Sequence, residues 1–148
     1  QKKFKNEFIK VEVNLIFTAS YLNTQKNLLL KRHGISVQQF NILRILRGMK
    51  SEPASIKLLT DRMIDKMSNA SRLVDKLLQK GLVERKECPK DRRKVDIIIS
   101  NSGLKLLKQA SEDIEKHITL GSNLSEAEAK TLNNLLDKLR DNNQNQLT

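Results

Sequence analysis

The sequence predicts a mainly α-helical protein with one small β-hairpin. Three observations predict it. Apolar residues recur at helical spacing from Phe4 to Leu30 and again from Leu104 to Leu139. Helix-start signals stand at Ser36, Ser55, Ser100 and Ser125. Between Leu82 and Ile99 the pattern shifts to short β-branched runs around a polar loop.

The first helix runs from Phe4 to Leu30. Phe8, Leu15, Leu22 and Leu29 stand seven apart on one stripe, flanked by Phe4 and Val11, and Gly34 closes the segment. Ser36-Val37-Gln38-Gln39 then reads as a capping box opening a second helix, with Phe40, Leu43 and Leu46 inward and Gly48 at its end. Ser55 caps a short helix carrying Ile56, Leu59 and Met63. After a break near Asp65, another helix runs from about Ser68 to Lys80, with Ser68 as N-cap and Gly81 past its end. Leu82 to Lys86 and Val95 to Ile99 form the hairpin strands, and the loop between them ends in Asp91-Arg92-Arg93-Lys94. Ser100 caps the next helix, striped by Leu104, Leu107, Ile114 and Ile118. Gly121 interrupts it. Ser125-Glu126-Ala127-Glu128 caps a last helix with Leu132, Leu135, Leu136 and Leu139. The order helix, helix, turn, helix, hairpin is a winged helix-turn-helix. We expect one domain over 1–148, with dimerisation helices at 1–34 and 101–142, the lobe at 36–100 and a frayed tail at 143–148.

Composition narrows the function. The chain has 148 residues, 38% hydrophobic and 30% charged, enough to bury a core without disulfides. No apolar run reaches the roughly 18 residues of a membrane helix. The start at Gln1-Lys2-Lys3 lacks the apolar stretch of a signal peptide, and Cys88 is a lone cysteine, so a cytoplasmic protein is expected. The net charge is +11, unevenly spread: +7 over residues 1–55, +5 over 56–100 and −1 over 101–148. The last third is therefore no phosphate-binding surface. Aromatics are only 3%, and Phe4, Phe8, Phe17, Tyr21 and Phe40 all fall on apolar periodicities, which places most of them in the core. Without stacking platforms, duplex DNA is favoured over single strands.

A helical wheel divides the segment from Ser68 to Lys80. Ala70, Leu73, Val74, Leu77 and Leu78 fall on one side, and Ser68, Arg72, Asp75, Lys76 and Gln79 on the other. A helix that reads the major groove needs that division. Asn69 suits adenine, Arg72 suits guanine, Ser68 and Ser71 lie at the phosphate-attracting start, and Lys76 suits backbone phosphate. An ordinary solvated helix face would carry the same pattern. Arg92, Arg93 and Lys94 on a narrow tip suit the minor groove, with Asp91 orienting a guanidinium. A solvated turn with local ion pairs is the alternative.

The run Leu77-Leu78-Gln79-Lys80-Gly81-Leu82-Val83-Glu84-Arg85, then Asp91-Arg92-Arg93, then Val95 to Ser100 and Gly103, resembles the multiple antibiotic resistance regulator (MarR) family. That family's wing carries Asp-x-Arg, here Asp91 and Arg93, and Ser71 to Leu77 resembles its recognition helix. The flanking helices match in order and length, so the resemblance covers nearly the whole chain. Two departures are the glycine-free turn Met63-Ile64-Asp65-Lys66-Met67 and Thr60 where alanine is frequent. The resemblance implies a homodimeric transcription regulator. Its first and last two helices would intertwine with a second subunit, and Arg93 would enter the minor groove, supported by Asp91. A small aromatic or phenolic effector would bind between the dimerisation helices and the lobe, with Phe17, Tyr21 and Phe40 as candidate contacts. Repression relieved by the effector is the expected mode of control.

Dimerisation has separate support, because such long apolar stripes exceed what one small domain covers. Two-fold symmetry would match a pseudo-palindromic site. His33 and His117 lack companions at ligand spacing, so no metal or cofactor is expected. No nucleophile–base arrangement or Gly-rich phosphate loop is present, which argues against an enzyme. Cys88 reads as a plain thiol. The competing function is an interaction module in which the winged helix docks on a protein or on structured RNA.

Overall fold

The computed structural model describes residues 4–50, 52–87, 95–118 and 123–141. The chain divides into two compact units, Gln1–Glu115 and Lys116–Thr148. The first holds most of the secondary structure.

Helix α1 spans Glu7–Arg32. It starts at Asn6, whose Oδ1 accepts the Ile9 N–H at 2.9 Å. It ends at His33, whose N–H donates to the Leu30 and Lys31 carbonyls. Gly34 then turns the chain with φ +70, a left-handed conformation that side chains resist. Helix α2, Val37–Gly48, opens on the expected capping box: Gln39 N–H donates to Ser36 Oγ at 3.1 Å, and Ser36 N–H to Gln39 Oε1 at 3.0 Å. It ends at Gly48, as expected. Met49 is the C-cap, and Lys50 rather than Gly48 takes the left-handed position, at φ 50.

Strand β1, Ala54–Ser55, is only two residues long, too short to leave a periodic signal in the sequence. Ser55 also caps helix α3, Ile56–Arg62, by accepting the Leu58 N–H at 3.1 Å. Helix α4 spans Ala70–Gln79, and its N-cap is Asn69, one residue later than expected. The Asp65 carboxylate captures the Ser68 hydroxyl at 2.7 Å, which leaves Asn69 Oδ1 to accept the Arg72 N–H at 3.0 Å.

Strands β2, Val83–Glu87, and β3, Val95–Ile99, pair antiparallel from Val83↔Ile99 to Glu87↔Val95. Strand β1 adds to the other edge of β3, with Ala54 opposite Ile97, giving the order β1-β3-β2. Leu82 stays outside the ladder because its N–H closes α4 onto the Leu77 carbonyl, and its own carbonyl accepts the Ser100 N–H. Helix α5, Asn101–His117, starts where Ser100 Oγ accepts the Gly103 N–H at 3.0 Å. In the second unit, helix α6, Glu126–Asp141, opens on the Ser125–Glu128 box.

The core of the first unit is aliphatic. Ile42, Leu43 and Leu46 of α2, Leu59 of α3, Val74 and Leu77 of α4, Ile97 of β3 and Leu107 of α5 are each at most 1% exposed. Burying a leucine fully contributes roughly 2 kcal/mol, so this cluster is the main term holding the helices to the sheet. The aromatics depart from expectation. Only Phe40 is buried, whereas Phe4, Phe8, Phe17 and Tyr21 are exposed. Helical periodicity marks an apolar stripe but not what covers it. On α1 only Leu29 and Leu30 are buried, and α6 buries nothing.

Candidate nucleic-acid interface

Helix α4 divides as the wheel predicts. Ala70, Val74 and Leu77 are buried against the lobe, with Leu73 and Leu78 half-buried. Asn69, Ser71, Arg72, Asp75, Lys76 and Gln79 are exposed, and Ser68 is half-buried. The apolar face anchors the helix and leaves the polar face exposed.

The start of α4 is set by a polar knot. Asp65 Oδ1 accepts the Met67 N–H at 3.1 Å, and Asn41 Oδ1 of α2 accepts the Ile64 N–H at 3.0 Å. The Ser68 hydroxyl and the Met67 amide hold the Asp65 carboxyl below the usual aspartate range. Thus the glycine-free turn is stabilised by Asp65 and Asn41 rather than by backbone freedom. An aspartate two residues before an amide and three before a serine was the readable signal. Ile64 and Met67, which sequence reasoning left unassigned, project outward at 82% and 93% exposure.

The expected readers occupy different positions on this surface. Ser71 and Arg72 stand clear in the first turn. Asn69 stands beside them, but its Oδ1 is committed to the cap, leaving the amide NH2 as its outward group. Lys76 lies elsewhere, on a cleft of about 480 Å3 with Lys31, Lys80, Gln39 and Leu73. Lys80 reaches across it to the Gly34 carbonyl. Among the described residues that line this cleft three are lysines and none is a carboxylate, which favours an anion there. Asp75, the one acid on the exposed face, is neutralised by Arg85 of β2 at 2.9 Å. The pair contributes little stability at such exposure, but it offsets the negative charge on this face. Asp91, Arg92, Arg93 and Lys94, and Cys88 with them, lie outside the described residues.

Of the three aromatic effector candidates, Phe40 borders a cavity of about 210 Å3 lined also by Lys26, Arg44, Arg47, Ser111, Ile114 and Glu115. Phe17 and Tyr21 stand one turn apart on α1, exposed, and do not line it. His33 Nε2 lies 2.7 Å from Asp113 Oδ2, joining the end of α1 to α5.

Comparison with known proteins follows the same outline. A sequence model of the MarR family matches residues 35–95. The HTH-type transcriptional regulator MhqR of Bacillus subtilis (strain 168) is 29% identical over 119 residues, 80% of this chain and 81% of MhqR. The crystal structure of a mutant MarR from E. coli complexed with operator DNA is 25% identical, with a TM-score of 0.78 over 93% of this chain and 99% of that one. The transcriptional regulator BldR from Sulfolobus solfataricus is 28% identical, with a TM-score of 0.73 over 93% and 99%. The family model takes in the lobe and the solved structures take in the flanking helices as well, so this chain is similar to MarR-family regulators over most of its length.

Proposed function

We propose that this chain is a sequence-specific duplex-DNA-binding transcription regulator that acts as a homodimer on a pseudo-palindromic operator. The observation that carries this reading is the division of α4, with Ala70, Val74 and Leu77 buried and Ser71, Arg72 and the Asn69 amide free at its start. Arg72 is placed to fork onto guanine O6 and N7, and Ser68, Ser71 and Lys76 to take phosphates. The wing residues Asp91, Arg92, Arg93 and Lys94 belong to the same interface, Arg93 in the minor groove. Operator binding by the E. coli MarR mutant, 25% identical, supports the assignment.

The mode of control is repression relieved by a small aromatic or phenolic effector. Its site is the cavity bordered by Phe40, where Lys26, Arg44 and Arg47 would receive the effector's oxygen. Phe17 and Tyr21 would meet either the second subunit or a ligand held against it. Effector binding would favour a subunit arrangement in which the spacing of the two α4 helices no longer matches the operator. The lobe at 36–100 and the helices at 1–34 and 101–142 divide these tasks. Among the described residues no helix is long and apolar enough to cross a membrane, and we place the protein in the cytoplasm with the DNA it reads.

A mobility-shift titration with the DNA upstream of the protein's own gene, against a random duplex competitor, tests the reading. Preferential retention that weakens steeply with salt is expected. Equal affinity for both duplexes would refute it. Arg93→Ala should weaken binding to all duplexes, while Arg72→Ala should relax discrimination at one base pair per half-site.

A further inference from the structure

Between residues 29 and 103 the described surface exposes only two large apolar side chains, Ile64 and Met67. All other exposed ones lie on or beside α1, α5 or α6. Both belong to the turn that leads into α4. Met67 is the most exposed, at 93%, and stands two residues before the N-cap Asn69.

Their exposure does not come from a loose segment. Asn41 fixes the Ile64 amide, Asp65 fixes the Met67 amide and the Ser68 hydroxyl, and Lys66 Nζ donates to the Asp61 carbonyl. The turn's polar groups are spent on holding its backbone, and its two apolar side chains are held outward. In the chain they stand just before Asn69, Ser71 and Arg72, whose donors are the groups suited to base edges and phosphates.

In the major groove the one apolar group on a base-pair edge is the 5-methyl of thymine. A polar reading surface with an apolar contact fixed at its leading end has the composition that such a methyl group requires. We propose that Met67, with Ile64 beside it on the same turn, packs against a thymine methyl group in each half-site and contributes specificity there. The proposal rests on the duplex-DNA reading above. It adds a determinant that is neither a hydrogen-bond donor nor a cation.

The test starts by enriching operator duplexes from a random pool with the full chain. Each thymine of the enriched duplex is then replaced singly by deoxyuridine, which removes only the methyl group. At one thymine per half-site, wild-type binding should weaken about fourfold, the effect of losing one buried methyl group. Met67→Ala, which removes the contact from both half-sites, should bind the thymine duplex about fifteenfold more weakly and lose its sensitivity to the replacement. Met67→Leu should retain the sensitivity. Melting temperatures should match wild type, because the side chain is exposed. If Met67→Ala keeps full sensitivity to deoxyuridine, or if no thymine is sensitive in wild type, the proposal is overturned while the regulator reading stands. If no duplex is enriched, the regulator reading itself falls.

Discussion

The Ser100 hydroxyl donates to the Gly81 carbonyl at 2.7 Å. Gly81 directly follows the C-cap of α4, and Ser100 is the residue from which α5 starts. The same oxygen accepts the Gly103 N–H at 3.0 Å, and the Ser100 N–H donates to the Leu82 carbonyl at 3.1 Å. One 7% exposed serine therefore joins the end of α4 to the start of α5. Ser100→Ala removes the α5 cap and orphans a carbonyl. Thermal or urea unfolding should show a loss of about 1–3 kcal/mol. A loss below about 0.5 kcal/mol would show that water replaces the hydroxyl at both partners.

Gly103 belongs to the same junction. A Cβ on it would lie 2.1 Å from the Leu82 carbonyl oxygen and 2.9 Å from Ile99 Cγ1. The first neighbour is backbone, tied down by its bond from Ser100. Alanine favours helices over glycine by up to about 1 kcal/mol, yet Gly103→Ala should destabilise by about 1–3 kcal/mol because the strand-to-helix junction must shift. Stabilisation by this substitution would show that the junction relaxes at low cost.

Much of this arrangement was legible in the sequence, and its failures share a cause. The caps at Ser36, Ser55, Ser100 and Ser125 are local chemistry, and all four form as expected. So does the division of α4, because a helix packed on one face must show it. The Ser68 cap fails because Asp65 competes for the hydroxyl. Gly48 ends α2 as expected, although the left-handed turn falls two residues later, at Lys50. The aromatics of α1 fail as core because a stripe looks the same whether its own domain or another molecule covers it. Asn41 and Arg85 were invisible in their roles, since each acts across a tertiary contact with the turn or with α4.

Asn69 has two functions that substitution can separate. Its Oδ1 caps α4 and its NH2 faces outward. Asn69→Asp keeps the capping oxygen, loses the donors and adds a negative charge. Its melting temperature should equal or exceed wild type, while operator affinity falls at least tenfold through lost contacts and phosphate repulsion. Asn69→Ala should lose about 1 kcal/mol of stability as well as affinity. Wild-type affinity in the aspartate variant would remove Asn69 from the interface.

Two exposed carboxylates titrate lower than usual. Asp65 is held below its ordinary 3.8 mainly by the Ser68 hydroxyl, and Glu128 below its ordinary 4.5 mainly by the Ser125 amide. A depressed folded value means that the stabilisation is present above the unfolded value and lost as pH falls through the lower folded one. The two bonds should therefore survive at pH 5 and fail progressively below about pH 4. Carbon-detected NMR titration of both carboxyl groups reads this directly. In Asp65→Asn the turn's acid-side dependence should vanish. An Asp65 midpoint above the ordinary value would contradict the bonding described for the turn.

On α1, Val13, Phe17, Tyr21 and Leu28 share one helical face, being four or seven residues apart. They are exposed at 43%, 71%, 56% and 59%. Leaving them in water forfeits roughly 2 kcal/mol for each of the larger side chains. A second copy of the same face would recover that, as the proposed homodimer requires. Phe17→Glu should then act on association and not on folding. It would remove about 4 kcal/mol per dimer, two side chains in all, and weaken self-association by about a thousandfold. Light scattering over a dilution series should return a dimeric mass for wild type and a monomeric one for the variant. Melting of the lobe, reported by the environment of Phe40, should change little. Operator affinity should fall with the dimer, since one α4 helix would then read one half-site alone. A wild-type mass for Phe17→Glu at every concentration would exclude this face from the interface. A lobe that melted many degrees lower would mean that Phe17 supports folding despite its exposure.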